Sequence, residues 1–221
     1  LMIIGAALAL VALILLLGWT YWRFAHTTKL TIALPDRDFS QLQERLRGRS
    51  KVSFTPVVVP GSREAAEKVS RGEVDLAFVQ GGIAIAPELP RVETPSPETV
   101  LWLFKENVTN PREVKKVLTS LAGEGSHTVA LQFFRLWQIN TEIEWLHDWR
   151  ELSTSDSYEL PPDVDAVFVV KDPGDEKTLV AMEKLTKAGF KLQPVDLGAR
   201  VAKLDYLHST TVPARHFNFS P

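Results

Sequence analysis

The sequence predicts an α/β protein with an N-terminal transmembrane helix followed by a two-lobed body. Three observations predict it. Residues Leu1 to Trp22 carry no charged side chain. From Lys29 to Gln80 the chain alternates strand-like and helix-like segments in the order β-α-β-α-β, the pattern of a mainly parallel sheet covered by helices. A second stretch of the same kind follows, with a glycine turn and amphipathic helix near Gly123–Trp137 and a buried strand at Val164–Val170.

The first segment reads as an uncleaved membrane anchor. About 20 apolar residues at 1.5 Å rise cross a bilayer core of roughly 30 Å, and Trp19, Tyr21 and Trp22 fit the aromatic belt at its surface. No small-x-small cleavage site follows the apolar run. Arg23 and Lys29 flank its C-terminal end and nothing basic precedes it, so the positive-inside rule alone would put the body in the cytoplasm.

The body is then read in order. Lys29–Leu34 alternates as a strand does, Pro35-Asp36 ends it, and Asp38 or Ser40 caps a helix to Arg47. Val52–Val59 is β-branched and apolar, a second strand. Pro60-Gly61-Ser62 turns into a helix to Ser70, with Ser62 as N-cap and Glu64 in the first turn. Val74–Gln80 is a third strand, followed by Gly81-Gly82. Pro87, Pro90, Pro95 and Pro97 mark a lobe boundary. Thr99–Phe104 is a strand, Pro111–Leu121 is either a helix or a helix and a strand, and Thr128–Trp137 is an amphipathic helix. Ile143–Leu146 and Val164–Val170 are strands, Asp175–Ala188 is a helix closed by Gly189, and Lys191–Val195 is a last strand. We therefore read 1–24 as the anchor, 29–97 as lobe 1, 98–197 as lobe 2 and 198–221 as a return segment and tail, with Thr210–Pro221 ordered only against a partner.

Composition narrows function. The 221 residues carry a net charge of -2 and no cysteine. The charge argues against nucleic acid as a partner, because phosphate affinity needs a basic face. The missing thiols exclude disulfides, thiolate metal sites and cysteine nucleophiles. None of the five histidines stands at metal-ligand spacing, and no nucleophile elbow, P-loop or dinucleotide fingerprint occurs. We expect no enzyme, no metal and no cofactor. His147 and Asp148, beside Trp145 and Trp149, read as a packed surface rather than a catalytic dyad. Trp137, Trp145 and Trp149 are core in part, and a docking surface where exposed.

In parallel sheets ligands sit beyond the carboxyl ends of the strands. Two helix starts, at Ser62 and at Ser126–Thr128, would there offer free N–H groups and the positive dipole end to a carboxylate. The candidate ligand-binding residues are Ser62, Gln80, Ser126, His127 and Thr128. The competing reading makes both serines plain caps and Gln80 a solvated strand end.

The run Val57–Ser62, a helix and Arg71–Gln80 resembles the TAXI family of TRAP-transporter solute-binding proteins. So do Gly123–Thr128 leading into Ala130–Ile139, Asp165–Phe168, and Val212-Pro213-Ala214. The resemblance implies a type II periplasmic-binding-protein-like body, two lobes closing on a small organic or amino acid, and an extracytoplasmic place, here held at a bacterial inner membrane. The chain departs from the family pattern where Pro35–Phe39 replaces a glycine-rich loop and His127 replaces a glycine. Those departures support a second expectation, a non-catalytic accessory subunit docked among other subunits of a bioenergetic or transport complex, with a vestigial pocket.

Overall fold

The computed structural model describes residues 2–25, 27–35, 51–93, 98–139, 142–204, 206–212 and 217, with side chains of the first helix described for 10–22. The expected helix within 36–50 lies outside the described residues. Helix α1 spans Met2–Ala25, 24 residues. Its described side chains are exposed all round, from Leu10 to Trp22, with only Thr20 half-buried. Among the described residues no helix is long and apolar enough to cross a membrane.

The first sheet is parallel, in the order β2-β1-β3, from β1 Thr28–Leu34, β2 Val52–Val58 and β3 Leu76–Ala77. Strand β1 is central and pairs Thr28 to Val52 through Leu34 to Val58. Pro56 lies in β2, at the edge of this sheet, where a missing N–H is tolerated. Helix α2, Ser62–Ser70, lays Ala65 and Ala66 on the sheet, and Ala33, Val59, Ala65 and Val74 form its small core.

The third strand is shorter than the apolar run Val74–Gln80 predicts. Asp75 is taken by Thr31: its carboxylate accepts from Thr31 N at 2.7 Å and Thr31 Oγ1 at 2.8 Å. These bonds, the backbone one foremost, hold the carboxyl below its usual range. Only Leu76 and Ala77 then pair with β1, and the chain leaves the ladder at Val79 to carry Gln80 toward the second lobe.

The second sheet has five strands in the order β6-β5-β7-β4-β8. They are β4 Thr99–Lys105, β5 Lys116–Leu118, β6 Glu144–Leu146, β7 Ala166–Lys171 and β8 Phe190–Leu192. Strands β5, β6 and β7 are parallel, while β4 runs antiparallel to both β7 and β8. Each sheet thus places its first parallel strand between the second and the third. The ambiguous Pro111–Leu121 resolves as a 3-10 turn, Pro111–Glu113, capped by Asn110, followed by β5.

Alternation along β4 and β7 splits the core in two. Trp102, Phe104, Ala166 and Phe168 face helix α3, Gly125–Leu136, with Phe133 and Phe134. Leu101, Leu103, Val167 and Val169 face the opposite side with Met182 and Leu185 of α5, Glu176–Lys187. The short α4, Trp149–Thr154, lies there too, and Lys184 Nζ donates to its carbonyls at Leu152 and Ser155 (3.0 and 2.7 Å). Asp175 caps α5 by accepting from Thr178 N, and Gly189 closes it with φ +81°. The three clustered tryptophans belong to the core: Trp149 is buried, and Trp137 and Trp145 pack against the aromatic cluster. Trp137 and Trp145 keep part of their surface exposed. In the tail, Phe217 is buried in the α5-side core.

Candidate functional site at the seam between the lobes

The two expected helix starts come together. Strand β2 turns through Val59–Gly61 into α2, and β5 turns through Thr119–Glu124 into α3. A β-carbon at Gly61 would lie 3.1 Å from Gly123 O and 3.2 Å from Glu124 Cα, so the turns are in contact.

The predicted residues are all here, and most of their polar atoms are already engaged. Ser62 does not cap α2; Gly61 holds that position, with no side-chain bond. The buried Ser62 hydroxyl instead accepts from Gln80 N at 3.1 Å. Gln80 is no solvated strand end. Its Nε2 donates to Val170 O at 3.1 Å and to the Glu98 carboxylate, and its side chain covers Gly125. Helix α3 begins at Gly125, three residues earlier than expected, so Ser126 lies inside its first turn. The buried Ser126 hydroxyl donates to Val170 O at 3.2 Å and accepts from Val170 N at 3.0 Å. Thr128 Oγ1 turns back to Glu124 O at 3.1 Å.

His127 is half-buried. Its backbone N–H donates to Ser120 Oγ, and its ring stands edge-on to Trp145 and His147 at 5.1 and 5.0 Å between centroids. His147 Nδ1 meets Ser120 O at 2.6 Å, while Asp148 accepts from Tyr158 OH at 2.9 Å, so these two residues serve packing rather than a dyad. Burial, then the neighbouring His147 and Arg63, hold the His127 imidazole below its ordinary range. A histidine with a depressed folded value stabilises above the ordinary His range and loses that contribution as pH falls through it. Denaturant midpoints taken between about pH 7 and about pH 5 should therefore fall, and His127→Gln should flatten that fall. An unchanged slope in the variant would remove His127 from the account.

One groove stays open beside the seam. Its volume is about 490 Å³, within the range of small-molecule sites. The side of α2 supplies Arg63, Ala66, Glu67, Ser70 and Arg71, the turn supplies Gly82–Ala84, and α3 supplies Thr128 and Gln132. Arg71 is neutralised by Glu73 (2.6 Å) and Glu67 (3.8 Å). Arg63 is exposed and forms no ion pair among the described residues. Sequence reasoning named Thr128 here but missed Arg63 and Gln132. The repeat of Arg63, Ala66, Glu67 and Ser70 along one helix face was the available signal. Among the described residues no cluster of His, Cys, Asp or Glu could hold a metal ion.

No family model matches the chain, and no curated protein matches it. Solved structures do. HinK, a LysR family transcriptional regulator from Pseudomonas aeruginosa, is 15% identical over 78% of this chain, with a TM-score of 0.46; the chain spans 63% of that protein's length. The effector-binding domain of QuiR, in complex with shikimate, is 11% identical over 77% of this chain and 81% of that one (TM-score 0.42). The periplasmic aliphatic sulphonate binding protein SsuA from Escherichia coli is 19% identical over 75% of this chain and 59% of that one (TM-score 0.37). At these scores the likenesses carry no argument of their own, and what the described strands establish is an α/β body with two sheets meeting at a polar seam.

Proposed function

We propose that the protein is a membrane-anchored, non-catalytic solute-binding module of the periplasmic-binding type, with its body outside the cytoplasm, and that the groove between α2 and α3 receives a small organic or amino acid. The observation that supports it is the groove itself: contributed by both lobes, and lined by Arg63, which is exposed and in no ion pair among the described residues. An arginine fork beside Thr128 and Gln132 suits a carboxylate, because charge-assisted bonds are the strong ones. The TAXI resemblance in the sequence points the same way, and the charge-free run Leu1–Trp22 supports the anchor.

The test uses the full chain in detergent micelles, screened by thermal shift against small mono- and dicarboxylates. One class of acid should raise the melting temperature. Arg63→Ala should then weaken it by about 10- to 100-fold, the loss of one charge-assisted bond. If no acid shifts the melting temperature, the solute-binding reading falls. The anchor has its own measurement: after carbonate washing the full chain should stay in the membrane pellet, and removal of residues 1–24 should release the body. A full chain that washes off would refute anchoring.

A second reading has a specific observation behind it. The polar groups at the helix starts are occupied from within, by Gln80 and Val170. That suits a docking body in a larger membrane complex. Stoichiometric co-purification with such a complex from native membranes would favour it.

A further inference from the structure

The seam is built on glycines. At Gly125 a β-carbon would fall 2.7 Å from Gln80 Cβ, so the Gln80 side chain occupies space that only glycine leaves. At Gly82, whose φ is +89°, a β-carbon would fall 2.8 Å from Tyr206 Cζ; at Gly81 it would fall 3.0 Å from Tyr206 Cδ2. The Tyr206 side chain, from the segment after the last strand, therefore packs against the turn that leaves lobe 1. Its hydroxyl donates to Gln132 Oε1 on α3, and Gln132 Nε2 donates on to Gly82 O at 2.8 Å. One chain of bonds thus runs from the return segment through lobe 2 to the backbone of lobe 1. A few residues away Gln80 Nε2 bonds Val170 O from the other side.

In a two-lobed binder, water satisfies the polar groups of an empty cleft, and the ligand supplies the free energy of closure. Here the seam serines, Gln80 and Val170 are satisfied without a ligand, while among the described residues Thr119 Oγ1, buried in the β5–α3 turn, has no hydrogen-bond partner. Ser62 is bonded by Gln80, Ser126 by Val170, and Val170 O by both Ser126 and Gln80. Opening would break the two bonds that cross the seam, Gln80 Nε2 to Val170 O and Gln132 Nε2 to Gly82 O, and uncover the contact of Tyr206 with Gly81 and Gly82.

We propose that the chain closes its own cleft, with Gln80 as a tethered occupant at the start of α3 and Tyr206–Gln132–Gly82 as the latch. The closed state is then the resting state and needs no solute. The latch shares Gln132 and Gly82 with the lining of the open groove, but its bonds are complete without an occupant.

The absence of cysteine makes the test direct. Lys51 and Glu176 are exposed, one in each lobe. Lys51→Cys with Glu176→Cys, spin-labelled in the full chain in micelles, reports the inter-lobe distance by pulsed dipolar spectroscopy with no ligand added. The otherwise unaltered seam should give one narrow distribution. Tyr206→Phe, which keeps the ring and loses the hydroxyl, should broaden it. Tyr206→Phe with Gln80→Ala should move it to longer distances. A broad distribution before any seam change overturns the proposal, and so does one that neither variant alters. If the double variant loses its cooperative melt, Tyr206→Phe decides alone. Failure of every acid to bind the groove would leave this result untouched, so the two readings fail separately.

Discussion

Replacing Trp102 by alanine is expected to cost about 3–5 kcal/mol, the usual range for deleting a large aromatic from a core. Trp102 is 1% exposed and sits at the centre of an aromatic cluster. Phe104 and Phe134 meet it edge-on at 4.6 and 5.4 Å, Phe168 at 5.5 Å, and Trp137 stacks on it at 5.6 Å. It also lies on β4, the strand paired on both sides within the second sheet, so a void there loosens two ladders and the α3 face together. Against a total of about 5–15 kcal/mol, such a loss leaves the second lobe marginal at best. Denaturant midpoints followed by tryptophan emission check this. Trp102→Phe should recover part of the loss, and an alanine variant as stable as the wild type would show that the cluster is not packed as described.

Ser126→Ala is the second large effect. One hydroxyl serves both backbone groups of Val170, and the site is buried. Removing it leaves the Val170 N–H without that acceptor, at a cost of about 1–3 kcal/mol. Thr128→Ala, two residues on, removes only a bond back to Glu124 O, and should stay within about 0.5 kcal/mol. The contrast separates structure from binding at the same helix start. A ligand residue would show its effect in acid affinity with little change in the melting temperature of the free protein; Ser126 should show the reverse.

Much of the architecture is legible in the sequence because the strands are apolar and the turns carry glycine. The helix ending at Ser70 is predicted, though its cap is Gly61 and not Ser62, and Asp175 and Gly189 bracket α5 as their cap chemistry requires. What pattern could not give was direction. Thr99–Phe104 reads as a strand, but its antiparallel insertion between β7 and β8 is a tertiary choice that no local propensity encodes. The start of α3 was misplaced because Gly125 reads as a breaker; in the structure its lack of a side chain is what admits Gln80. The candidate site was legible as a location and not as a state. Ser62, Gln80, Ser126, His127 and Thr128 do converge, yet the sequence says nothing about whether water, a solute or a neighbouring side chain fills their bonds. Tyr206 carried no signal at all, since its role depends on two glycines far away in the chain.

The placing of β4 has a consequence for the order in which the molecule can form during synthesis. The first sheet needs only the chain up to Ala77, so it can assemble while the rest is still being made. Strand β4 follows at once, but Thr99 must wait for Lys171 and Lys105 for Phe190 before either of its edges is covered. During that interval an apolar strand with both edges bare is exposed, a state prone to pairing with the wrong neighbour. The nascent second lobe is therefore the vulnerable half. Slowing translation beyond residue 192 should leave yield unchanged, whereas stalling between β4 and β7 should increase aggregation.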